Sequence, residues 1–207
     1  MKRLLCYGDS NTWGYDPVTH NRFPQNIRWT GLLQEKLKDA GVRVLEEGRN
    51  GRTTVFEDPS WEGLCGYAAL LEILQAHKPL DAAILMLGTN DCKTCFHASA
   101  EQIADGAAQC IDLLLQYVSA DNILLISPLH LGPDVWQSDH DPDFDKKSIA
   151  TSRQLADAYR KVAVQKQVRF LDAAQYAAAS SADDEHLDPA GHAVMADIIL
   201  KTISDML

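Results

Sequence analysis

The chain has 207 residues, of which 46% are hydrophobic and 23% charged; that is enough to bury one core, read as a single domain over 1–207, and too much for a disordered chain. Nineteen basic against 29 acidic side chains leave a formal charge of −10, which repels phosphate backbones and anionic lipid, so no nucleic-acid and no membrane-surface partner is expected. Five cysteines at positions 6, 65, 92, 95 and 110 are an odd number without a disulfide pattern, and point to a reducing, cytoplasmic compartment.

The start, Met1-Lys2-Arg3-Leu4-Leu5-Cys6-Tyr7, is basic then apolar, but the run stops at Gly8, too short for the apolar region of a signal peptide. No stretch approaches the length of a membrane span. From there, short β-rich runs alternate with longer segments of helical period, the pattern of a parallel sheet covered by helices on both faces. The first strand is expected at residues 3–7, followed by Gly8-Asp9-Ser10-Asn11-Thr12-Trp13-Gly14. Trp29, Leu32, Leu33 and Leu37 then share one helical stripe. A second strand at 42–45 runs into Glu47-Gly48-Arg49-Asn50-Gly51-Arg52-Thr53-Thr54, and His77 reads as a helix C-terminal residue. The third strand, 82–87, ends in Gly88-Thr89-Asn90-Asp91. Ser99 with Gln102 makes a capping box for the next helix, whose core stripe is Ile103, Ala107, Cys110, Ile111, Leu114 and Val118. Strands at 122–127 and 168–171 complete the set of five. Asp188-Pro189 supplies an N-cap and a first-turn proline for the last helix.

Between the fourth strand and the next helix lies the longest irregular stretch, 129–147. Its alternating acids Asp139, Asp141, Asp143 and Asp145 raise the idea of a calcium loop, but a loop starting at Asp139 would need Gly at its sixth position and Glu at its twelfth, where Phe144 and Ala150 stand. A solvated acidic loop bordering a cleft is the better reading. Cys92-Lys93-Thr94-Cys95 does not open a thioredoxin-like unit and lacks a second ligand pair for zinc, so neither redox nor metal chemistry is read into it.

In an open parallel sheet, ligands bind at the carboxyl ends of the strands, and four polar clusters arrive there. Taken singly, each has an ordinary role: Ser10 as an N-cap, Asn50-Gly51 as a turn, Asn90 as a loop residue bonding backbone. The only Asp-x-x-His in the chain is Asp183-Asp184-Glu185-His186. There a short turn lets a carboxylate hold Nδ1–H of the imidazole and leaves Nε2 free to take a proton from a hydroxyl. His192 competes for this role, but it falls inside the last helix and is read as its anchor; His186 is preferred.

The order of these clusters, Ser, Gly, Asn and then Asp-x-x-His, resembles the SGNH hydrolases, the GDSL esterase family. Within it the chain is most similar to the bacterial arylesterase and acyltransferase branch, through Cys6–Gly14, Arg28-Trp29-Thr30-Gly31, Glu46-Glu47-Gly48, Arg52-Thr53-Thr54 and Met86–Asp91. The resemblance implies a flavodoxin-like three-layer α/β/α sandwich with a five-stranded parallel sheet. It makes Ser10 the nucleophile, His186 the base and acid, and Asp183 its orienting carboxylate, with an oxyanion hole from the N–H groups of Ser10 and Gly51 and the Asn90 amide. The activity implied is hydrolysis of short-chain, acetyl-type esters without metal or cofactor, with acyl transfer as a side activity and homo-oligomerisation. Sugar-ester deacetylation, and a non-catalytic carbohydrate-binding protein on the same fold, are the alternatives. Trp13, Cys92 and Lys93 are candidates for the pocket wall, and Tyr15, Phe23 and Trp136 are aromatics that fit either pocket or core. Asp184 stands where the family often has Gly, which puts an extra carboxylate next to the base.

Overall fold

The computed structural model describes all residues, 1–207. Five strands, β1 (Lys2–Gly8), β2 (Val42–Gly48), β3 (Ala82–Met86), β4 (Ile123–Ser127) and β5 (Arg169–Asp172), form one all-parallel sheet in the order β2-β1-β3-β4-β5. That is the flavodoxin-like order, in which the chain reverses direction beside β1 and opens a crevice there. Seven α-helices accompany the strands: α1 (Ser10–Trp13), α2 (Trp29–Leu37), α3 (Gly66–His77), α4 (Ala100–Leu114), α5 (Lys146–Ser152), α6 (Leu155–Lys166) and α7 (Pro189–Ile203).

The pleat sorts the core into two halves, because successive strand residues point to opposite faces. Leu5, Tyr7, Ala83, Leu85 and Leu125 pack under α3, α4 and α6 with Leu70, Leu74, Ile103, Ile111 and Tyr159. Leu4, Cys6, Ile84, Met86, Leu124 and Ile126 pack under α2 and α7 with Trp29, Leu33, Met195 and Ile199. The expected stripe of α4 is buried throughout, and on α2 only Leu32 is partly exposed. Ser99 and Gln102 form their reciprocal capping box, and the Asp188 side chain accepts from the Gly191 N–H at 2.7 Å at the start of α7.

Every strand lies within a few residues of its expected range, and the largest difference is at β2, which continues to Gly48. Its last residues are charged, yet Glu46 sits on the sheet because Arg28, Arg22 and Thr30 all bond its carboxylate, Arg28 at 2.6 Å. The irregular stretch ends two residues early, where Asp145 caps α5 by accepting from Lys147 and Ser148. All five cysteines are free, and only Cys95 is exposed. No helix is long and apolar enough to cross a membrane.

Candidate active site

At the end of β1 the chain must turn immediately into α1, and Gly8 allows it by having no side chain: a Cβ there would lie 2.1 Å from the Thr12 hydroxyl oxygen and 2.6 Å from the Met86 carbonyl. Asp9 takes the N-cap, its carboxylate accepting from the Asn11 N–H at 3.0 Å. Capping therefore falls to Asp9, and the Ser10 hydroxyl is left to face the crevice. There it meets His186, whose Nε2 lies 2.8 Å from Ser10 Oγ although the two residues are 176 apart in sequence. On the other side of the ring, Nδ1 lies 2.5 Å from Asp183 Oδ2. Asp183 is fixed in turn by the N–H groups of Glu185 and His186, which donate to its second oxygen at 3.1 and 3.0 Å. The Tyr15 ring packs against the imidazole with centroids 4.4 Å apart.

Asn11 ties the two halves together. Its side-chain Oδ1 accepts from the Leu187 N–H at 2.9 Å, and its side-chain amide Nδ2 donates to the Glu185 carbonyl at 3.4 Å, bracketing His186. Across the crevice, Gly51 has φ +78°, a conformation at which an L side chain is strained. Neither its N–H nor that of Ser10 meets an acceptor within the protein. Asn90 lies in the turn after β3 and donates one amide hydrogen to the Arg52 carbonyl at 3.1 Å. Arg52 clamps the strand ends, donating to the carbonyls of Gly8 at 2.9 Å and of Glu47. Asp91, fully buried, accepts from the Thr54 N–H and hydroxyl, locking the loop after β2 to the loop after β3.

Ser10, Gly51, Asn90 and His186 thus line one small cleft of about 120 Å³, together with Tyr15, Asn50, Lys93, Asp141 and Glu185. Of the proposed pocket wall, only Lys93 is there. Its ammonium is held by Asp143 at 3.0 Å and Asp141 at 3.6 Å, so the acidic stretch does border the cleft. Trp13 lies outside it, its ring beneath the Arg22 guanidinium at 5.5 Å. Cys92 is buried and lines a separate cavity of about 270 Å³ with His97 and Thr151. Phe23 packs edge-on against His192, and the Trp136 indole donates to the Pro133 carbonyl; of the four aromatics weighed, only Tyr15 reaches the cleft.

The carboxylate beside the His186 ring is not the one expected. Asp184 adopts φ +59°, where a glycine would be at ease, and its side chain turns outward to accept from the Asp134 N–H at 2.7 Å. It is Glu185 that faces the imidazole, with Oε1 3.7 Å from Nε2 and a side chain only 6% exposed.

Burial shapes the charges here. It pushes the Asp9 and Asp91 carboxyls up to about 6 and about 7, and it raises Glu185 as well. For His186 burial favours the neutral ring, but Glu185 and Asp183 outweigh it and raise its affinity for a proton. Burial pushes the Asp183 carboxyl up, but the His186 ring, through its bond and its charge, and the His186 and Glu185 N–H groups together outweigh it and hold it below the ordinary carboxylate range. Asp183, Glu185 and His186 offer three donors within 4.8 Å of one another, yet both ring nitrogens are already engaged by Asp183 and Ser10. The arrangement is one for moving a proton rather than ligating a cation.

The chain matches the GDSL-like Lipase/Acylhydrolase family over residues 6–194. Similar solved structures include Est24, a carbohydrate acetylesterase from Sinorhizobium meliloti, with 30% identity and a TM-score of 0.91. The aryl esterase of M. smegmatis has 31% identity and a TM-score of 0.89, and a putative arylesterase from Agrobacterium tumefaciens has 32% and 0.88. Each alignment covers 100% of both chains. No curated protein matches by sequence. The chain belongs to the GDSL-like lipase/acylhydrolase family, the SGNH hydrolases, and is a carboxylic ester hydrolase.

Proposed function

We propose that the protein cleaves short-chain, acetyl-type esters through an acyl-enzyme formed on Ser10. The observation that carries this reading is the hydrogen-bonded chain Ser10–His186–Asp183, at 2.8 and 2.5 Å, opening into a cleft of only about 120 Å³. A neutral hydroxyl is a poor nucleophile, so Ser10 Oγ attacks the ester carbonyl as its proton passes to Nε2. Asp183 holds the imidazolium that results. The carbonyl oxygen becomes an oxyanion, for which the unpaired N–H groups of Ser10 and Gly51 and the Asn90 amide are the available donors, each worth on the order of 10²–10³ in rate. Collapse expels the alcohol, which takes the proton from Nε2; water or a second alcohol then repeats the sequence on the acyl-enzyme, giving hydrolysis or acyl transfer.

The aryl esterase and carbohydrate acetylesterase among the similar structures support acetyl esters as substrates. The polar cleft wall of Asn50, Asn90, Asp141 and Glu185 favours a sugar ester as the second reading. Rates over acetyl, butyryl and hexanoyl aryl esters, set beside acetylated sugars, choose between the two. Homo-oligomerisation belongs to the same reading and is checked by mass in solution; the five free thiols favour a reducing, cytoplasmic compartment. Treatment with a fluorophosphonate is the direct test of the nucleophile. A stoichiometric adduct on Ser10 that disappears in Ser10→Ala is expected, and a folded wild-type protein left unlabelled there overturns the proposal.

A further inference from the structure

Glu185 has no place in the proton path just described, yet its position is unusual. Its side chain is 6% exposed, its carboxylate accepts no hydrogen bond from the protein, and Oε1 stands 3.7 Å from the same nitrogen that bonds Ser10. A buried carboxylate without a hydrogen-bond partner is costly, and positive charge offsets that cost, first on His186 and then on Lys93. Asp183 supports the ring from Nδ1; Glu185 stands on the reacting side.

Resting on the esterase reading, we propose that Glu185 is a positioning residue that acts through His186: its carboxylate beside Nε2 favours the imidazolium and thereby sets the pH at which cleavage begins. At 3.7 Å it lies beyond hydrogen-bond range and works through its field. The consequence has two opposing parts. A protonated ring cannot accept the Ser10 proton, so the free enzyme is silent until His186 gives up its proton, and Glu185 delays that to higher pH. Once the ring is neutral, the same field makes it a stronger base and stabilises the imidazolium that forms as Ser10 attacks. Glu185 therefore exchanges rate at neutral pH for rate at alkaline pH.

Other groups face this pair from every side. Asp183 shares its loop, Asp9 approaches from the turn between β1 and α1, Tyr15 from just after α1, Asp141 from the acidic stretch, and Lys93 from the turn after β3. His192 on α7 is near as well, and its own burial keeps it neutral. Asp9 and Asp141 add to the effect of Glu185, whereas Lys93 opposes it and is itself largely neutralised by Asp141 and Asp143. Glu185 is the nearest of the carboxylates to Nε2 and the one whose removal isolates the effect.

The test is the pH profile of kcat/KM for an aryl acetate, measured for the wild type and for Glu185→Gln. The acid limb of the wild type is expected above the ordinary imidazole range. In the variant it moves to lower pH by about 1 to 3 pH units, the effect of an opposite charge at this range, while kcat on the alkaline plateau falls severalfold. Glu185→Asp, which keeps the charge, returns the limb towards the wild-type position. A direct NMR titration of the His186 ring in the wild type needs no variant. A ring that titrates at or below the ordinary imidazole value, or a limb unmoved in Glu185→Gln, overturns the role of Glu185 while Ser10 still turns over ester. Loss of the esterase reading looks different, since the wild type itself would then neither cleave esters nor label at Ser10.

Discussion

His186 and His192 are six residues apart and both buried, one lining the cleft and the other inside α7, yet the protein treats them in opposite ways. Around His186 stand Asp183, Glu185 and the Ser10 hydroxyl. Around His192 stand the edge of Phe23, at 5.3 Å between centroids, and the Trp29 N–H, which donates to Nδ1 at 3.2 Å. Nε2 of His192 has no partner at all. Burial alone lowers a histidine's affinity for a proton, and His192 shows it, pulled down to about 4. His186 is just as hidden and is shifted the other way by the carboxylates facing it. Whether a buried imidazole gains or loses affinity for a proton is decided by the company of the ring.

The largest test of that contrast exchanges the two deletions. His186→Ala is expected to lower kcat for an aryl acetate on the order of 10⁴–10⁶-fold in a folded protein, whereas His192→Ala retains turnover and loses thermal stability. The reverse outcome would reassign the base. Next in size, Asp183→Asn makes the surroundings of His186 more like those of His192. Its kcat should fall by about 10⁴ as the ring loses its preferred tautomer, with circular dichroism unchanged.

A smaller effect concerns stability. His192 binds a proton near 6.5 when unfolded and only near 4 when folded. Between those values the unfolded chain takes up the extra proton, so this residue's contribution is present above pH 6.5, is lost as pH falls, and levels off below 4. The loss amounts to about 3 kcal/mol. Asp9 and Asp91, raised by burial, work in the opposite sense over part of the window, so the measurement is a difference. Urea unfolding of the wild type and of His192→Gln at pH 7 and pH 4.5 should show that the variant loses less. Equal losses would mean that His192 is not held neutral.

Much of this contrast was legible in the chain itself, since a loop histidine three residues after an aspartate and a helical histidine behind an Asp-Pro cap belong to different local structures. The alternation of strands and helices was equally plain because each strand is a short apolar run. The end of β2 was not, because Glu46 is tolerated there only through Arg22 and Arg28, which come from another segment. Glu185 is hidden in the sequence for a related reason: a motif written Asp-x-x-His is blind to its middle positions, and which of Asp184 and Glu185 faces the ring depends on the left-handed backbone at Asp184. The signal lay in two successive acids at those positions, one of which the turn had to direct inward. Trp13 and Cys92 failed in the opposite way, being close in sequence to Ser10 and Asn90 while their side chains leave the cleft.

The bracket that Asn11 places around His186 bears on how the site moves. Asn11 is covalently next to Ser10, and its amide group grips the backbone on both sides of the histidine. One side chain thus joins the start of α1 to the segment after β5 on both sides of the histidine, so the gap between Oγ and Nε2 is set by a direct link between the two segments. For the proposed reaction, in which 1 Å of misplacement costs about 10²-fold, a side chain that ties the two partners' segments to each other guards the distance between them.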